Sequence, residues 1–336
     1  MKRPGRLLLM IGLLGWFAGG GYAQTKVATT VGQVLLIEPS ARAAGMGNAG
    51  VTAYADAMGL YFNPAIPAYL EQSAVAMTYS RWLADLTYTY TTASLRLGAN
   101  ALSLSVTTMH SGEMDVRTVE QPLGTGERYT VQYLVFGLGF SRRLTDRFSA
   151  GIQAKLLRET IWHSSLSAFA LDVGVLYELP FQAYLGASLS NFGTRGRYDG
   201  RDLRVRYDMD PNRHGDNSSL PAALHTESYQ LPILFRVGMG FPLQLGAGQR
   251  LLLTADALQP SFNTESLSLG AEWQILDMLA LRAGYQNLFE RDSEFGLTLG
   301  VGLQQDLAPV RFHFDYAWAS HRHLGAVHRL SAGVAF

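Results

Sequence analysis

Three groups of residues have side chains whose types and spacing could do chemistry. Near the C-terminus, His321-Arg322-His323 is followed by His328, and histidines are frequent metal ligands. A His-x-His sequence in a loop is more often solvated than metal-bound. We therefore predict no metal site here and interpret these residues as part of, or next to, the last outer loop.

A second group is Trp162-His163-Ser164-Ser165, in which a histidine stands beside two serines. A hydrolase needs a serine nucleophile, a histidine base and a third group that orients the base. No such constellation emerges from the sequence. We predict no catalytic residue and expect that the chain is not an enzyme.

Acidic residues at alternate positions form the third group, in Asp199–Asp202 and Asp208–Asn212. Their oxygens could bind Ca²⁺, but the spacing lacks the glycine and the distal glutamate of an EF-hand loop. We interpret both stretches as parts of a surface loop that contacts proteins. No cofactor is predicted.

Composition limits the class of protein. The 336 residues contain 27 basic and 27 acidic residues, so the balance gives no reason to expect nucleic acid as a partner. Cysteine is absent, which excludes disulfides and thiolate metal sites. With 35 glycines, 16 tyrosines, 16 phenylalanines and only 16% charged residues, the mixture is unusual for a soluble enzyme.

The N-terminus predicts export. Met1–Arg6 is basic, Leu7–Ala18 is apolar, and Gly21 and Ala23 are small residues suited to signal peptidase, so residues 1–23 are predicted to be a cleaved signal peptide. The apolar stretch is shorter than the ~20 residues that a membrane-spanning helix needs. No second apolar run of that length follows, which leaves a secreted protein or an outer-membrane barrel.

Alternating hydrophobicity occurs in both classes, so the length of the alternating runs and of their connections distinguishes them. In Val310–Trp318, one face reads Val, Phe, Phe, Tyr, Trp and the other reads Arg, His, Asp, Ala. Many such runs have the ~9–11 residues that cross a bilayer at a tilt. Fourteen strands are predicted, at residues 73–81, 86–97, 99–109, 130–141, 148–159, 166–178, 182–191, 232–242, 249–258, 264–274, 278–287, 294–304, 310–318 and 327–336.

The connections between the predicted strands alternate in length. Those after every second strand are tight, whereas residues 110–129 and 192–231 form long polar loops. In outer-membrane barrels short turns face the periplasm and long loops face outward. The predicted fold is therefore all-β, a 14-stranded antiparallel transmembrane β-barrel at residues 73–336 in the bacterial outer membrane. Its N-terminus is expected in the periplasm and its long loops at the cell surface.

The end of the chain agrees with this fold. The last strand alternates and finishes on phenylalanine, which resembles the signal recognised by barrel-assembly machinery. The residues of this predicted assembly signal are Leu330, Ala332, Val334 and Phe336.

The polar face of the strands is expected to line the lumen. We interpret its charges as a solvated or salt-bridged interior, because polar lumens are usual in such barrels. A ligand path is the alternative. The charged residues concerned are Lys155, Asp172, Arg236, Asp256, Glu272, Arg282, Arg311 and Asp315.

A barrel of fourteen strands is too wide to be filled by its own side chains, since about eight strands is the size that fills itself. Residues 24–72 precede the first strand and are predicted to form an N-terminal plug, or hatch, on the periplasmic side. The glycines Gly45, Gly47 and Gly50 permit tight turns there. Pro67 prevents a helix from continuing into the barrel.

The opening of the mature chain resembles the PorV/PorQ family. The resemblance lies in Ala41–Val51, Asp56 and Tyr61–Ala65, and Arg81–Tyr88 resembles the first hairpin of that family. Ile66-Pro67 departs from the pattern, because small residues are expected after Asn-Pro-Ala. The plug motif consists of Gly45, Met46, Gly47, Gly50, Asp56, Asn63, Pro64 and Ala65.

The resemblance implies a function and partners. PorV/PorQ proteins are similar to the long-chain fatty-acid transporter FadL in fold and work in or beside type IX secretion. The expected partners are outer-membrane lipid and proteins of export, namely the secretion translocon, the attachment complex or the C-terminal domains of cargo. Two alternatives stay open, a FadL-like channel for hydrophobic small molecules such as fatty acids and a structural barrel that anchors another surface assembly. A lipid or detergent molecule bound in the barrel is a further expectation.

Overall fold

The computed structural model describes residues 29–53, 56–210, 212, 219–290 and 293–336. The predicted signal peptide and the first residues of the predicted plug, 24–28, lie outside this range. Within the described residues, no helix has both the length and the apolar character needed to cross a membrane.

Fourteen antiparallel strands form one closed barrel, which confirms the predicted fold. Each strand pairs with the next along the chain, and β1 pairs with β14 from Ala74 opposite Ala335 to Arg81 opposite His328. The strands are β1 Ala74–Arg81, β2 Thr87–Leu97, β3 Asn100–His110, β4 Val131–Thr145, β5 Phe148–Ile161, β6 Ser164–Glu178, β7 Tyr184–Gly193, β8 Leu234–Gly246, β9 Gln249–Pro260, β10 Ser266–Ile275, β11 Leu279–Leu288, β12 Phe295–Leu307, β13 Val310–His321 and β14 Gly325–Ala335.

The connections define two different ends of the barrel. At the short-turn end all six are short, and Gly98 adopts a φ of 67° in the hairpin between β2 and β3. The long-loop end carries residues 111–130 and 194–233. Both long loops contain a small hairpin, one pairing Met114–Asp115 with Arg128–Tyr129 and the other pairing Arg204–Tyr207 with Leu220–Ala223.

The two faces of the strands have opposite character. In β1, Val75, Met77 and Tyr79 are exposed on the outside, whereas Thr78 and Ser80 are buried on the inside. Alternate side chains of a strand point to opposite faces of the sheet, so one strand supplies both an apolar wall and a polar lumen. The apolar band is what a membrane solvent requires of a barrel surface.

The plug runs through the lumen from one end to the other. Near the long-loop end, Thr30 forms a parallel bridge with Gln230. Near the short-turn end, the Gln72 side chain donates to the carbonyl of Pro309 in the turn between β12 and β13. The plug contains α1 (Ala41–Gly45), α2 (Gly59–Phe62) and two 3₁₀ helices, Gln33–Leu36 and Ile66–Tyr69.

The first part of the plug lies further from the short-turn end than the sequence led us to expect. Its apolar residues Val34 and Leu35 pack in one buried cluster with Met58, further along the plug, and with inward side chains of the strands, among them Tyr88 and Leu157. Burying apolar side chains is favourable by roughly 25 cal/mol per Å². A second, smaller cluster near the short-turn end packs Ala65 and Ile66 of the plug against Leu176.

Candidate functional site

Four charged side chains join the plug to the inner wall of the barrel. Arg42 of α1 forms two hydrogen bonds with Glu272 of β10, from Nε to Oε2 at 2.8 Å and from Nη2 to Oε1 at 2.7 Å. Arg282 of β11 donates to the same Glu272 Oε2 at 2.6 Å and to Asp315 of β13 at 2.6 Å. We call Arg42, Glu272, Arg282 and Asp315 the ionic clamp.

The ionic clamp balances its charges, two positive and two negative, inside the barrel. The side chains of Glu272, Arg282 and Asp315 are at most 8% exposed. Burial by itself opposes ionisation of Arg42, but the Glu272 carboxylate outweighs it and raises the pKa of this guanidinium above its usual value. Asp56 of the plug lies 4.0 Å from Arg42 and adds a weaker attraction.

Backbone groups of the plug are also held by side chains of the wall. The Val51 N–H donates to Asp256 Oδ2 at 2.8 Å, and the Gly47 N–H donates to Thr298 Oγ1 at 2.9 Å. The Ala41 N–H donates to Ser331 Oγ at 3.0 Å. A plug this short leaves many backbone groups without helical partners, and the wall supplies them.

Small residues let the plug approach the wall closely. A Cβ on Gly45 would lie 2.9 Å from Gly300 Cα, and a Cβ on Gly47 would lie 2.6 Å from the Leu269 carbonyl oxygen. Gly47 also has a φ of 63°, which side chains disfavour. Met46, beside Gly47, is fully buried. These contacts explain why the plug motif is rich in glycine and alanine.

The Asn-Pro-Ala turn is fixed by its asparagine. Asn63 Oδ1 accepts from the Ala65 N–H at 3.0 Å, and Asn63 Nδ2 donates to the Val175 carbonyl of β6 at 2.9 Å. The wall makes room for the turn, since a Cβ on Gly151 would lie 2.0 Å from the Pro64 carbonyl oxygen. The following Ile66 and Pro67, which depart from the family pattern, are buried in a 3₁₀ helix.

The remaining polar residues predicted for the lumen have separate partners. Lys155 pairs with Asp172 at 2.7 Å, and both side chains are buried. Arg236 lies over the Tyr61 ring, with its Cζ 5.4 Å from the centroid. Arg311 is half-exposed near the short-turn end, where its Nε donates to Asp306 at 2.8 Å, so it lies outside the ionic clamp.

A polar cavity of about 670 Å³ opens on the short-turn side of the ionic clamp. All four clamp residues line it, together with charged residues of the turns such as Arg143, Arg250 and Asp277. Water that enters this cavity meets the plug at its ionic contacts. The ionic clamp therefore lies between this water-accessible cavity and the apolar packing deeper in the lumen.

Three buried charged residues lie between the plug and the wall above the clamp. Arg329 of β14 has its Cζ 4.9 Å from the Trp82 ring centroid. In the described part of the chain, Arg329 Nε and Nη1 and Arg236 Nη2 lack hydrogen-bond partners. Burial raises the pKa of Glu38 in the plug, although the nearby Arg236 and Arg329 oppose this shift.

Several of these residues were missed by the sequence analysis. Thr298, Gln286 and Ser331 bind the plug, and Arg329 is fully buried, but none was singled out. They follow the same inward alternation as the charged residues that were named. The alternation was therefore the available signal, and it predicts that inward-facing small polar side chains contact the plug as the charged ones do.

The histidines near the C-terminus do not converge. His321 points into the barrel and packs against Phe295 at 5.0 Å between ring centroids. His323 is exposed and contacts Glu294 at 2.8 Å, whereas His328 accepts or donates a hydrogen bond with Tyr316 Oη at 2.7 Å. Among the described residues, no cluster of three or more possible metal ligands occurs.

The serines beside His163 are not arranged as nucleophiles. Asp202 contacts His163 Nδ1 at 2.9 Å, and the Ser164 hydroxyl donates to the same aspartate at 3.3 Å instead of to the histidine. Arg201 lies 2.6 Å from His163 Nε2, the nitrogen that would have to be free to accept a proton from a serine. The contacts instead tie the loop after β7 to the hairpin between β5 and β6.

The residues of the predicted assembly signal lie along β14 and at the C-terminus. Leu330 and Phe336 are exposed on the outside of the barrel. The backbone N–H of Phe336 donates to the Ser73 carbonyl at 2.9 Å, next to the first strand. Ala332 and Val334 pair with Phe314 and Phe312 of β13.

Comparisons with known proteins give a family and a fold. Residues 21–202, more than half of the chain, match the family described as "Type IX secretion system protein PorV". No curated protein matches the sequence significantly.

Solved structures of similar fold include a toluene transporter and a FadL homologue. The Pseudomonas putida toluene transporter TodX has a TM-score of 0.57 at 12% identity, over 89% of this chain and 97% of TodX. A Pseudomonas aeruginosa FadL homologue has a TM-score of 0.53 at 12% identity, over 94% of this chain and 99% of that chain. At this identity the likeness concerns the fold alone.

Proposed function

Because the chain belongs to the PorV family of type IX secretion system proteins, we propose that it is a non-enzymatic binding protein that shuttles or scaffolds exported proteins. Such a protein would receive cargo from a translocon and present it to an attachment complex at the cell surface. The family match over residues 21–202 carries this proposal.

The plug supports a binding function over passage through the lumen. The ionic clamp and the backbone contacts of Val51, Gly47 and Ala41 hold it on several strands at once. Nearer the long loops, Val34 and Leu35 pack inside the lumen. Passage of a hydrophobic molecule, the alternative function, would require these side chains to be displaced.

The long loops are the surface that we propose for partners. Val119 and Leu123, at the tip of the loop between β3 and β4, are each 94% exposed. Exposed apolar residues of this kind are frequent in protein interfaces. Short turns of outer-membrane barrels face the periplasm, so we place the long loops at the cell surface, where cargo emerges.

Affinity purification of the full-length chain from its native membranes tests the proposal. After mild cross-linking, we expect to recover translocon, attachment-complex or cargo proteins. The double variant V119D/L123D should lower this recovery, because charged tips disfavour an apolar interface.

The matched control is L276D, which changes an exposed leucine in a turn at the opposite end of the barrel. It should leave recovery unchanged. Recovery of no export protein by the wild-type chain would contradict the proposal, and equal losses in both variants would contradict the role of the loop tip.

A further inference from the structure

One guanidinium group stands on the membrane-facing side of the barrel without a protein partner. Arg158 of β5 is exposed on the same face as Ile152 and Leu156. Within the described residues its side chain makes no hydrogen bond and no ion pair. It lies three residues before the end of β5 at Ile161, roughly 10 Å along the strand at ~3.3 Å per residue.

Arg158 lies in a groove of about 520 Å³ on the outer wall. Its neighbours across the sheet are Leu134 of β4 and Ser167 of β6. Leu156 and Phe169, both exposed on the same face, supply apolar surface to the groove. The groove is therefore apolar along most of its length and has one positive charge.

The groove exists because β7 leaves the wall early. The pairing of β6 with β7 ends at Ala170 opposite Gly193, while β6 continues towards the long-loop end. Thr194 then folds against this edge, with its Oγ1 accepting from the Phe169 N–H at 3.0 Å, and Asp199–Gly200 pair with the long-loop end of β6. This departure forms one wall of the groove beside Phe169.

An unpaired cation at membrane depth is costly unless it reaches water or an anion. Arginine binds phosphate oxygens with two parallel hydrogen bonds, which makes it well suited to lipid headgroups. We propose that this groove binds a phosphate-bearing membrane lipid, with its acyl chain against Leu156 and Phe169 and its phosphate on Arg158. The proposal needs only a barrel in a membrane and does not depend on the function proposed above.

Native mass spectrometry of the full-length barrel in a mild detergent tests the site. The probes are dioleoyl phosphatidic acid and dioleoylglycerol, which share acyl chains and differ by the phosphate. We expect one phosphatidic acid per barrel to be retained, and retention of dioleoylglycerol to be much lower. Equal retention of the two lipids would overturn the proposal.

Variants of Arg158 separate this site from general lipid contact. Losing one charge-assisted pair should weaken retention about tenfold in R158Q, whereas R158K, which keeps the charge but not the two parallel hydrogen bonds, should retain the lipid at an intermediate level. The matched control is R142Q, because Arg142 is also exposed and lies three residues before the end of β4, at the other end of the barrel. It should bind like the wild type.

Two outcomes would overturn the assignment to this groove. The first is a loss of retention in R142Q as large as that in R158Q. The second is displacement of the lipid by inorganic phosphate, which would indicate a site for the free anion. If R158Q does not fold, failure of the folded R158K variant to retain phosphatidic acid would also count against the proposal.

Discussion

Glu272 is the residue on which the attachment of the plug depends most. Its carboxylate is shared by Arg42 of the plug and Arg282 of the wall, so its removal leaves one partly buried and one buried guanidinium without their common partner. Removing one partner of a buried pair is strongly destabilising, because the remaining charge stays desolvated.

We expect E272Q to destabilise the barrel by about 3 kcal/mol or more. Urea unfolding in lipid vesicles measures this change. The control is E71Q, because Glu71 is exposed at the short-turn end and should have little effect. A double variant E272Q/R42M should recover part of the loss. An E272Q variant as stable as E71Q would show that the ionic clamp contributes no net stability.

A second prediction at the level of residues concerns pH. The hydrogen bond from His323 lowers the pKa of Glu294 below its ordinary value of 4.5. A carboxyl whose folded pKa is depressed contributes stability above its unfolded pKa, and this contribution is lost as pH falls through the folded pKa. The contact between the loop before β12 and the loop after β13 should therefore loosen as the pH falls below 4.5.

Hydrogen exchange of the His323 amide measures this loosening, since that N–H lies 3.3 Å from Glu294 Oε2. Protection, corrected for intrinsic exchange rates, should fall with pH in the wild type. In E294Q it should be low and independent of pH. Protection that stays constant in the wild type would contradict the prediction.

At the level of elements, the sequence alone does not show how closely α1 and the turn after it approach the wall. Gly47 combines a positive φ of 63° with a Leu269 carbonyl oxygen 2.6 Å from any added Cβ. The turn after α1 is therefore restricted both by its own backbone and by the neighbouring strand.

We expect G47A to destabilise the barrel by roughly 1–3 kcal/mol, because strain and steric contact add. G112A is the matched control, since Gly112 has a φ of 71° but no atom within 4 Å of an added Cβ. Urea unfolding should show a smaller loss for G112A. Equal losses would mean that backbone strain, and not contact with the wall, sets the cost.

The strands could be predicted from sequence, but the partners inside the barrel could not. Alternation over runs such as Val310–Trp318 reflects a physical requirement, since one face meets lipid and the other meets the lumen. Pairing Arg42 with Glu272 requires knowing where the plug meets β10, and no local pattern encodes that contact across 230 residues. The path of residues 29–38 was missed for the same reason, because their apolar contacts lie on distant strands.

For the whole molecule, the feature of interest is how the plug fills the lumen. Fourteen strands enclose more space than their inward side chains can fill. In the structure, Val34, Leu35 and Met58 pack in the lumen near the long loops, and the ionic clamp lies beside the cavity at the short-turn end.

We expect deletion of residues 24–72 to create a conducting pore. Current through planar bilayers measures it, with the full-length barrel as the control that should stay closed. E272Q should give brief openings between these extremes, since it weakens only one set of contacts. A deleted barrel that conducts no more than the full-length chain would contradict the view that the plug alone seals the lumen.

The pairing of β1 with β14 has a consequence for the order of events in biogenesis. It joins the first and last strands of the barrel, and the plug immediately precedes β1 in the chain. Closure of this seam fixes the circumference of the wall around a plug that contacts several strands. We infer that the plug docks on the strands before the first and last of them pair, so that the barrel closes around it.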